Sequence, residues 1–298
     1  MKNTSKFNTE GYNYIGIFLT FDCPRGCSYC LNQSGSGLVK RAIVSGKDWI
    51  EALNKFQTDI PLTFNGGEPL LHPDFFEILN GLSKSIKTDL LTTLPVSAQK
   101  FIENLNPERF ERDLPYSAIR VTFHPEIMDL AKTVEIVRSI QSKGFDIMIN
   151  LVDHPYQTQE TNAYKDRIQE AGITCIVKPF LGYLDGVLYG QFKYQDACSK
   201  TFIRNIECKT SVLLIDPAGD VYRCHGNMFS KNSQGLMGNI FEKDLDLSQR
   251  TASCANYGNC HPCDVQTKFD RFGHWGYAAM DIVGENLVII DNPSPDWR

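Results

Sequence analysis

The chain has 298 residues and 33.7 kDa, 42% of them hydrophobic and 22% charged. That is room for one large domain or a large one with a small companion, and it excludes collagenous, disordered and mini-protein classes. Thirty Lys and Arg against 35 Asp and Glu give a formal charge of -5 with no basic run, so nucleic acid is not an expected partner. Met1 to Glu10 is polar, lacks a cleavable apolar core, and no apolar stretch reaches bilayer-spanning length. A cytoplasmic protein with no membrane partner is expected.

Between about residue 14 and residue 180 short β-rich runs alternate with helix-like stretches, the order of parallel strands joined by helical crossovers. Strands fall at Tyr14 to Thr20, Leu62 to Phe64, Asp89 to Thr93, Ile119 to Phe123, Asp146 to Val152 and Thr174 to Lys178. Ser45 and Asp48 make a capping-box-like start for a helix over Trp49 to Phe56, Gly144 closes one over Met128 to Lys143, and Gly172 closes the next. Six units are too few for a closed eight-stranded barrel. The expected fold is α/β: a partial (β/α)6 TIM-like barrel over residues 1–195, then a small C-terminal hairpin and helix domain over 196–298.

In the last three strands one parity is apolar (Ile119, Val121, Phe123; Ile147, Ile149, Leu151; Ile173, Cys175, Val177) and suits the helix side. The other carries Arg120, Thr122, His124, Asp146, Met148, Asn150, Thr174, Ile176 and Lys178, too polar to fill its own lumen. Either the lumen holds a ligand or these groups pair with one another. After Phe180 a Gly- and Tyr-rich stretch to Tyr194 reads as a linker. Ser211 to Asp216 and Val221 to Cys224 flank Pro217-Ala218-Gly219-Asp220 as a hairpin opening a separate module. Phe269 to Trp297, with His274, Trp275, Tyr277 and the β-like run Leu287 to Ile290, suits core packing or closure of the barrel's open side.

Ten cysteines are many for a reducing compartment unless they are ligands or catalysts. Cys23-Pro-Arg-Gly-Cys27-Ser-Tyr-Cys30 puts three thiols in eight residues directly after the first strand, a density that suits zinc or an iron-sulfur cluster. Three ligands leave one metal position open, and an open position is reactive.

This Cys-x3-Cys-x2-Cys loop resembles the signature of the radical S-adenosylmethionine (SAM) enzymes. The resemblance implies that Cys23, Cys27 and Cys30 hold a 4Fe-4S cluster with an open iron that binds SAM. One electron from it would cleave SAM to a 5′-deoxyadenosyl radical that takes hydrogen from a substrate. Tyr29 matches the family's residue beside the adenine. Gly66-Gly67-Glu68-Pro69 resembles the family's GGEP motif, whose polar groups hold the SAM ammonium; two glycines permit close backbone approach and Glu68 offers an anionic acceptor. Thr122 and Asn150, near the ends of the fourth and fifth strands, are the expected contacts for SAM or substrate, with His124 and Lys178 as further candidates.

Cys208 and Cys224 bracket the hairpin, and Cys260-His261-Pro262-Cys263 supplies a Cys-x2-Cys knuckle, a set that suits zinc or an iron-sulfur cluster. With Gly238-Asn239-Ile240 this resembles the Twitch domain, the shortened SPASM domain, and implies one auxiliary 4Fe-4S cluster. Cys254 replaces one of these ligands, is inert, or acts as a catalytic hydrogen-atom donor. Cys175 and Cys198 are expected packing residues. The reading is a radical SAM enzyme that oxidises or epimerises a small polar metabolite of sugar, aminosugar or nucleoside type, since few residues precede the first strand to dock a peptide. A flavodoxin or ferredoxin-type donor would supply the electron. The alternative is modification of a ribosomally made peptide presented by a separate leader-binding partner; a remote one is a non-catalytic zinc-binding protein.

Overall fold

The computed structural model describes residues 6–34, 43–243 and 245–284; the run Leu287 to Ile290 lies outside them. Six parallel strands follow one another in chain order: β1 (Tyr14–Phe18), β2 (Leu62–Asn65), β3 (Thr88–Thr92), β4 (Ile119–Thr122), β5 (Ile147–Asp153) and β6 (Cys175–Pro179). Between them run α1 (Gly46–Leu53), α2 (Phe75–Gly81), α3 (Ala98–Asn104), α4 (Leu130–Gln141) and α5 (Thr158–Glu170). The Ser45 side chain caps α1 by accepting from the Asp48 N–H, and its own hydroxyl donates to Asp48 at 2.7 Å, which orders the first turn. Asp129 caps α4 in the same way, accepting from the Lys132 N–H at 2.7 Å.

Strand alternation sorts the side chains onto two faces. Ile15, Ile17, Leu62, Phe64, Leu90, Val121 and Ile149 are fully buried and form one core with Trp49, Phe75, Phe101 and Val137 from the helices. Each such side chain contributes about 1.5–3 kcal/mol relative to exposure. The expected apolar parity therefore does face the helices. Cys175 belongs to this core as a packing residue.

The C-terminal third differs in arrangement from an independent module. The expected hairpin forms as β8 (Val212–Ile215) and β9 (Asp220–Tyr222), which follow β7 (Arg204–Thr210). But β8 pairs in parallel with β1, Val212 opposite Tyr14 through Ile215 opposite Ile17. With β10 (Leu236–Asn239) paired to β9, the hairpin extends the main sheet to nine strands among the described residues, in the order β10-β9-β8-β1-β2-β3-β4-β5-β6. Alternation explains it: Leu213 and Ile215 join the helix-side core, while Val212 and Leu214 join Phe18, Tyr222 and Met228 on the other face. A second antiparallel sheet, order β11-β7-β12, is formed by β11 (Thr251–Tyr257), β7 and β12 (Met280–Ile282). The stretch after Phe180 is itself a hairpin, Gly182–Leu184 paired with Val187–Tyr189. No described helix is long and apolar enough to cross a membrane.

Because Leu213 is fully buried in the shared core, Leu213→Ala should cost about 2–5 kcal/mol. Denaturant unfolding followed by both fluorescence and far-UV dichroism should show one coincident, shifted transition; a separate early transition with an unshifted main one would mean that the hairpin stands apart from the sheet.

Candidate functional site

Two glycines and a glutamate anchor the first cysteine loop to the strand ends. The Gly67 N–H donates to the Thr20 carbonyl at 3.1 Å and the Glu68 N–H to the Asp22 carbonyl at 2.8 Å. A Cβ on Gly66, whose φ is +127°, would stand 2.7 Å from the Thr20 carbonyl oxygen, and one on Gly67 would stand 2.2 Å from that of Asp22. What approaches these glycines is thus the chain's own cysteine loop. Asn32 donates to the Gly66 carbonyl and Arg25 Nε to Thr93 Oγ1 at 3.3 Å, pinning the loop at two more points.

Glu68 is fully buried. Its Oε1 accepts from the Leu70 N–H at 3.2 Å and the Thr92 hydroxyl at 2.7 Å, and its Oε2 from the Thr93 N–H at 2.7 Å and the Thr93 hydroxyl at 2.8 Å. Two acceptances per oxygen saturate a carboxylate. The side chain expected to receive a ligand's ammonium is instead committed to tying the end of β2 to that of β3. Pro69 starts the turn Pro69–Leu71 that follows, in which Pro69 and Leu70 are buried.

Open acceptors stand nearby. Asn65 donates through Nδ2 to the Tyr14 hydroxyl, and its buried Oδ1 has no hydrogen-bond partner among the described residues. Asn150 is 6% exposed, and its Oδ1 is likewise buried and unpartnered. Asn150 lies opposite Thr122 in the register, so these two expected contacts are brought together. A buried amide oxygen left without a donor is costly, about 1–3 kcal/mol; an ammonium or ribose hydroxyl would satisfy it.

Tyr29 shares a 2.9 Å hydrogen bond with His124 Nδ1 and packs its ring 5.6 Å from His154 and 6.1 Å from Phe180. This aromatic wall joins the cysteine loop to the ends of β4, β5 and β6. Burial, aided by the Arg25 charge, holds His124 down to about 4, so its ring is neutral at pH 7. Cys23 is exposed, Cys27 buried and Cys30 half-buried. Burial, then the charges of Cys30 and Cys23, push the Cys27 thiol up to about 11, and burial raises Cys23. Thiols that oppose one another's ionisation are a donor set that a bound cation would stabilise as thiolates.

The second group converges on a cavity of about 250 Å³ lined by Cys208, Cys224, Cys254 and Cys260, together with His261 and Asp264. Cys263 does not line it, and Cys254 does. Cys254 sits on β11, whose Cys254 pairs with Ile206 of β7, next to the strand position of Cys208. Cys208 and Cys254 interact as neighbouring thiols; their interaction and burial raise the more buried Cys208, and the interaction lowers Cys254, the readier thiolate of the two. Burial pushes Cys260 up to about 12 and raises Cys224. Cys198, a buried neighbour, donates its thiol to the Cys260 carbonyl at 3.2 Å.

Sequence reasoning missed Asp264 and His225. Buried Asp264 accepts from His225 Nδ1 at 2.6 Å and from the N–H groups of His225 and Gly226 at 2.9 and 3.1 Å. The knuckle's His261 accepts from the Cys263 N–H at 3.3 Å and turns Nε2 to the Leu31 carbonyl, also at 3.3 Å. Leu31 follows Cys30, so one hydrogen bond links the two cysteine groups. Thr92 and Thr93 were also missed; their only signal was a pair of hydroxyls closing a predicted strand.

Glu68→Gln turns one acceptor oxygen into a donor facing Thr92 or Thr93, and should cost about 2–4 kcal/mol, read by thermal unfolding; a variant as stable as the parent would contradict this account. For His124 the unfolded chain takes a proton near 6.5 and the folded chain only near 4. Its contribution is therefore complete above pH 6.5 and lost as pH falls toward 4, on the order of 3 kcal/mol. His124→Asn should flatten the acid limb of the stability–pH curve by that amount; an unchanged limb would exclude this histidine as its cause.

No family model matches the chain. Among solved structures, SuiB of Streptococcus suis bound to precursor peptide SuiA is similar at 15% identity and a TM-score of 0.52 over 81% of this chain. The match spans 64% of SuiB, just under two thirds of its length. AnSMEcpe with bound AdoMet and the Kp18Cys peptide is similar at 16% identity and a TM-score of 0.55, over 83% of this chain and 81% of that one. The form with bound AdoMet alone gives 15% and 0.53, over 77% and 78%. The chain has the fold of the radical SAM enzymes, with the central, mostly parallel sheet they share.

Proposed function

We propose that this chain is a radical SAM enzyme acting on a peptide. The observation that carries the reading is the Cys23, Cys27, Cys30 loop held by Gly67 and Glu68 against the strand ends, on the fold of proteins with AdoMet bound. Cys23, Cys27 and Cys30 would hold a 4Fe-4S cluster, and Asn65 Oδ1, Asn150 Oδ1 and Tyr29 would receive SAM. When bound, the cluster supplies the electron that cleaves SAM reductively into a hydrogen-abstracting radical. The chain's own residues do the rest: Glu68 fixes the loop, the orphaned amide oxygens orient a ligand's donors, and the Tyr29, His124, His154 and Phe180 wall excludes water beside them.

A small polar metabolite was the first expectation. The similar structures carry peptides instead, SuiA in SuiB and Kp18Cys in anSMEcpe, and these support the peptide alternative. Cys208, Cys224, Cys254 and Cys260 suit an auxiliary 4Fe-4S cluster, in a Twitch-like unit within residues 196–298. Four protein ligands leave no iron open, which favours electron transfer and hence oxidation. With Cys254 as a ligand, its role as a hydrogen donor in epimerisation is dropped. A flavodoxin or ferredoxin-type donor in the cytoplasm would complete the electron supply.

The test is iron and sulfide per chain after anaerobic reconstitution, with 5′-deoxyadenosine formation under dithionite. Wild type should hold about eight irons, and the joint Cys23→Ala, Cys27→Ala, Cys30→Ala variant about four with no SAM cleavage. Cys254→Ala should fall to about four while Cys263→Ala stays near eight. The reverse pattern would return Cys263 to the ligand set; zinc alone with no cleavage would overturn the functional reading.

A further inference from the structure

The residues that directly follow Cys224 and Cys260 belong to one packed unit. Asp264, 2% exposed, accepts from His225 Nδ1 at 2.6 Å and from the His225 and Gly226 N–H groups. It thereby joins the short helix His225–Ser230 to the knuckle turn Pro262–Val265. The His225 ring lies against that of His261, with 5.4 Å between centroids and 23° between planes, and the Phe229 ring closes on His261 at the same 5.4 Å. His261 is 7% exposed, and a ring packed on both sides in a close-packed interior holds one orientation.

His261 aims this unit at the first cysteine loop. Its Nδ1 accepts from the Cys263 N–H, which leaves Nε2 as the protonated nitrogen, and Nε2 donates to the Leu31 carbonyl at 3.3 Å. Leu31 directly follows Cys30 and opens the turn Leu31–Ser34, which Asn32 ties to the Gly66 carbonyl. The Gly67 and Glu68 N–H groups hold the start of the loop at Thr20 and Asp22; His261 and Asn32 hold its end. On the far side of the unit lies the cavity. A cation bound there would draw Cys208 and Cys254, on β7 and β11, onto Cys224 and Cys260, because a metal fixes the geometry of its ligands. Cys224 and Cys260 directly precede His225 and His261, so that constraint passes into the ring that faces Leu31.

We propose that His261 is a positioning residue that couples the two cysteine groups. A cation in the C-terminal cavity fixes the ring, the ring fixes the end of the first loop, and the loop binds its own cation more tightly as a result. The proposal rests on reading both cysteine groups as metal sites. It adds to the C-terminal group a role besides electron transfer, that of holding the first loop in its binding shape.

The test uses the full chain, metal-free and anaerobic, with Co²⁺ alone as the probe. Thiolate ligation gives Co²⁺ a charge-transfer band whose intensity grows with the number of thiolates, which tells the three-cysteine loop from the four-cysteine cavity. Affinity at the loop is read with the cavity intact and filled first, and again with the cavity emptied by Cys208→Ala and Cys254→Ala. Emptying it should weaken Co²⁺ binding at the loop about tenfold, within the range of coupled sites. Linkage requires the reverse as well: Cys23→Ala, Cys27→Ala and Cys30→Ala together should weaken the cavity by the same factor. In His261→Leu the loop should bind weakly whether the cavity is intact or emptied. His261→Gln, whose side-chain amide can donate to the same carbonyl, should restore the difference, a rescue that a merely space-filling role would not show. Equal loop affinities with the cavity intact and emptied, a comparison that leaves His261 in place, overturn the proposal, as does a difference that survives His261→Leu. Absence of the band from either group removes a site that the coupling needs and overturns it too. Iron content and SAM cleavage, measured on reconstituted wild type, report separately on the radical SAM reading.

Discussion

Everything at the mouth of this sheet depends on one buried carboxylate. Glu68 has no exposed surface, and its four accepted hydrogen bonds come from its own turn and from the end of the next strand. Around it the Gly67 and Glu68 N–H groups hold Thr20 and Asp22 at the start of the cysteine loop. The glutamate satisfies local backbone and hydroxyl donors, the glycines remove the side chains that would block contact, and the cysteine loop is seated as a result. A motif that reads as ligand-binding text is, in its side chain, a structural clamp.

The same sheet carries two environments on its inner face. On the β1 and β8 side, Phe18, Val212, Leu214 and Tyr222 fill the space with apolar volume. On the β4 to β6 side stand Arg120, Thr122, Asn150 and Lys178. An apolar half needs no ligand, since its packing completes itself; a half with an orphaned amide oxygen does. The contrast supports the proposal that a ligand lies against the later strands, near the aromatic wall of Tyr29, His124, His154 and Phe180.

The two cysteine groups are less separate than their sequence distance suggests. The C-terminal hairpin continues the main sheet, and His261 reaches the carbonyl that follows Cys30. Asp264, at the end of the knuckle, holds His225, which directly follows Cys224. A group bound in the second cavity would therefore be coupled mechanically to the first cysteine loop.

Local chemistry was legible from the chain alone. The six strands lie within a residue or two of their expected positions, because β-branched alternation and helix caps such as Ser45 and Asp129 act over a few residues. The Cys-x3-Cys-x2-Cys spacing belongs in the same class, since one short loop carries all its ligand atoms. Tertiary structure decided what depends on distant partners. Strands β7 and β11 are mostly polar and are joined to each other and to β12 only across long loops, so no local pattern marks their pairing; yet that pairing is what puts Cys254 beside Cys208 and leaves Cys263 outside the cavity. Whether Glu68 faces a ligand or two threonines is likewise a question of which strand ends meet. Sequence spacing determines which groups are available; only the packed sheet determines which of them are already satisfied.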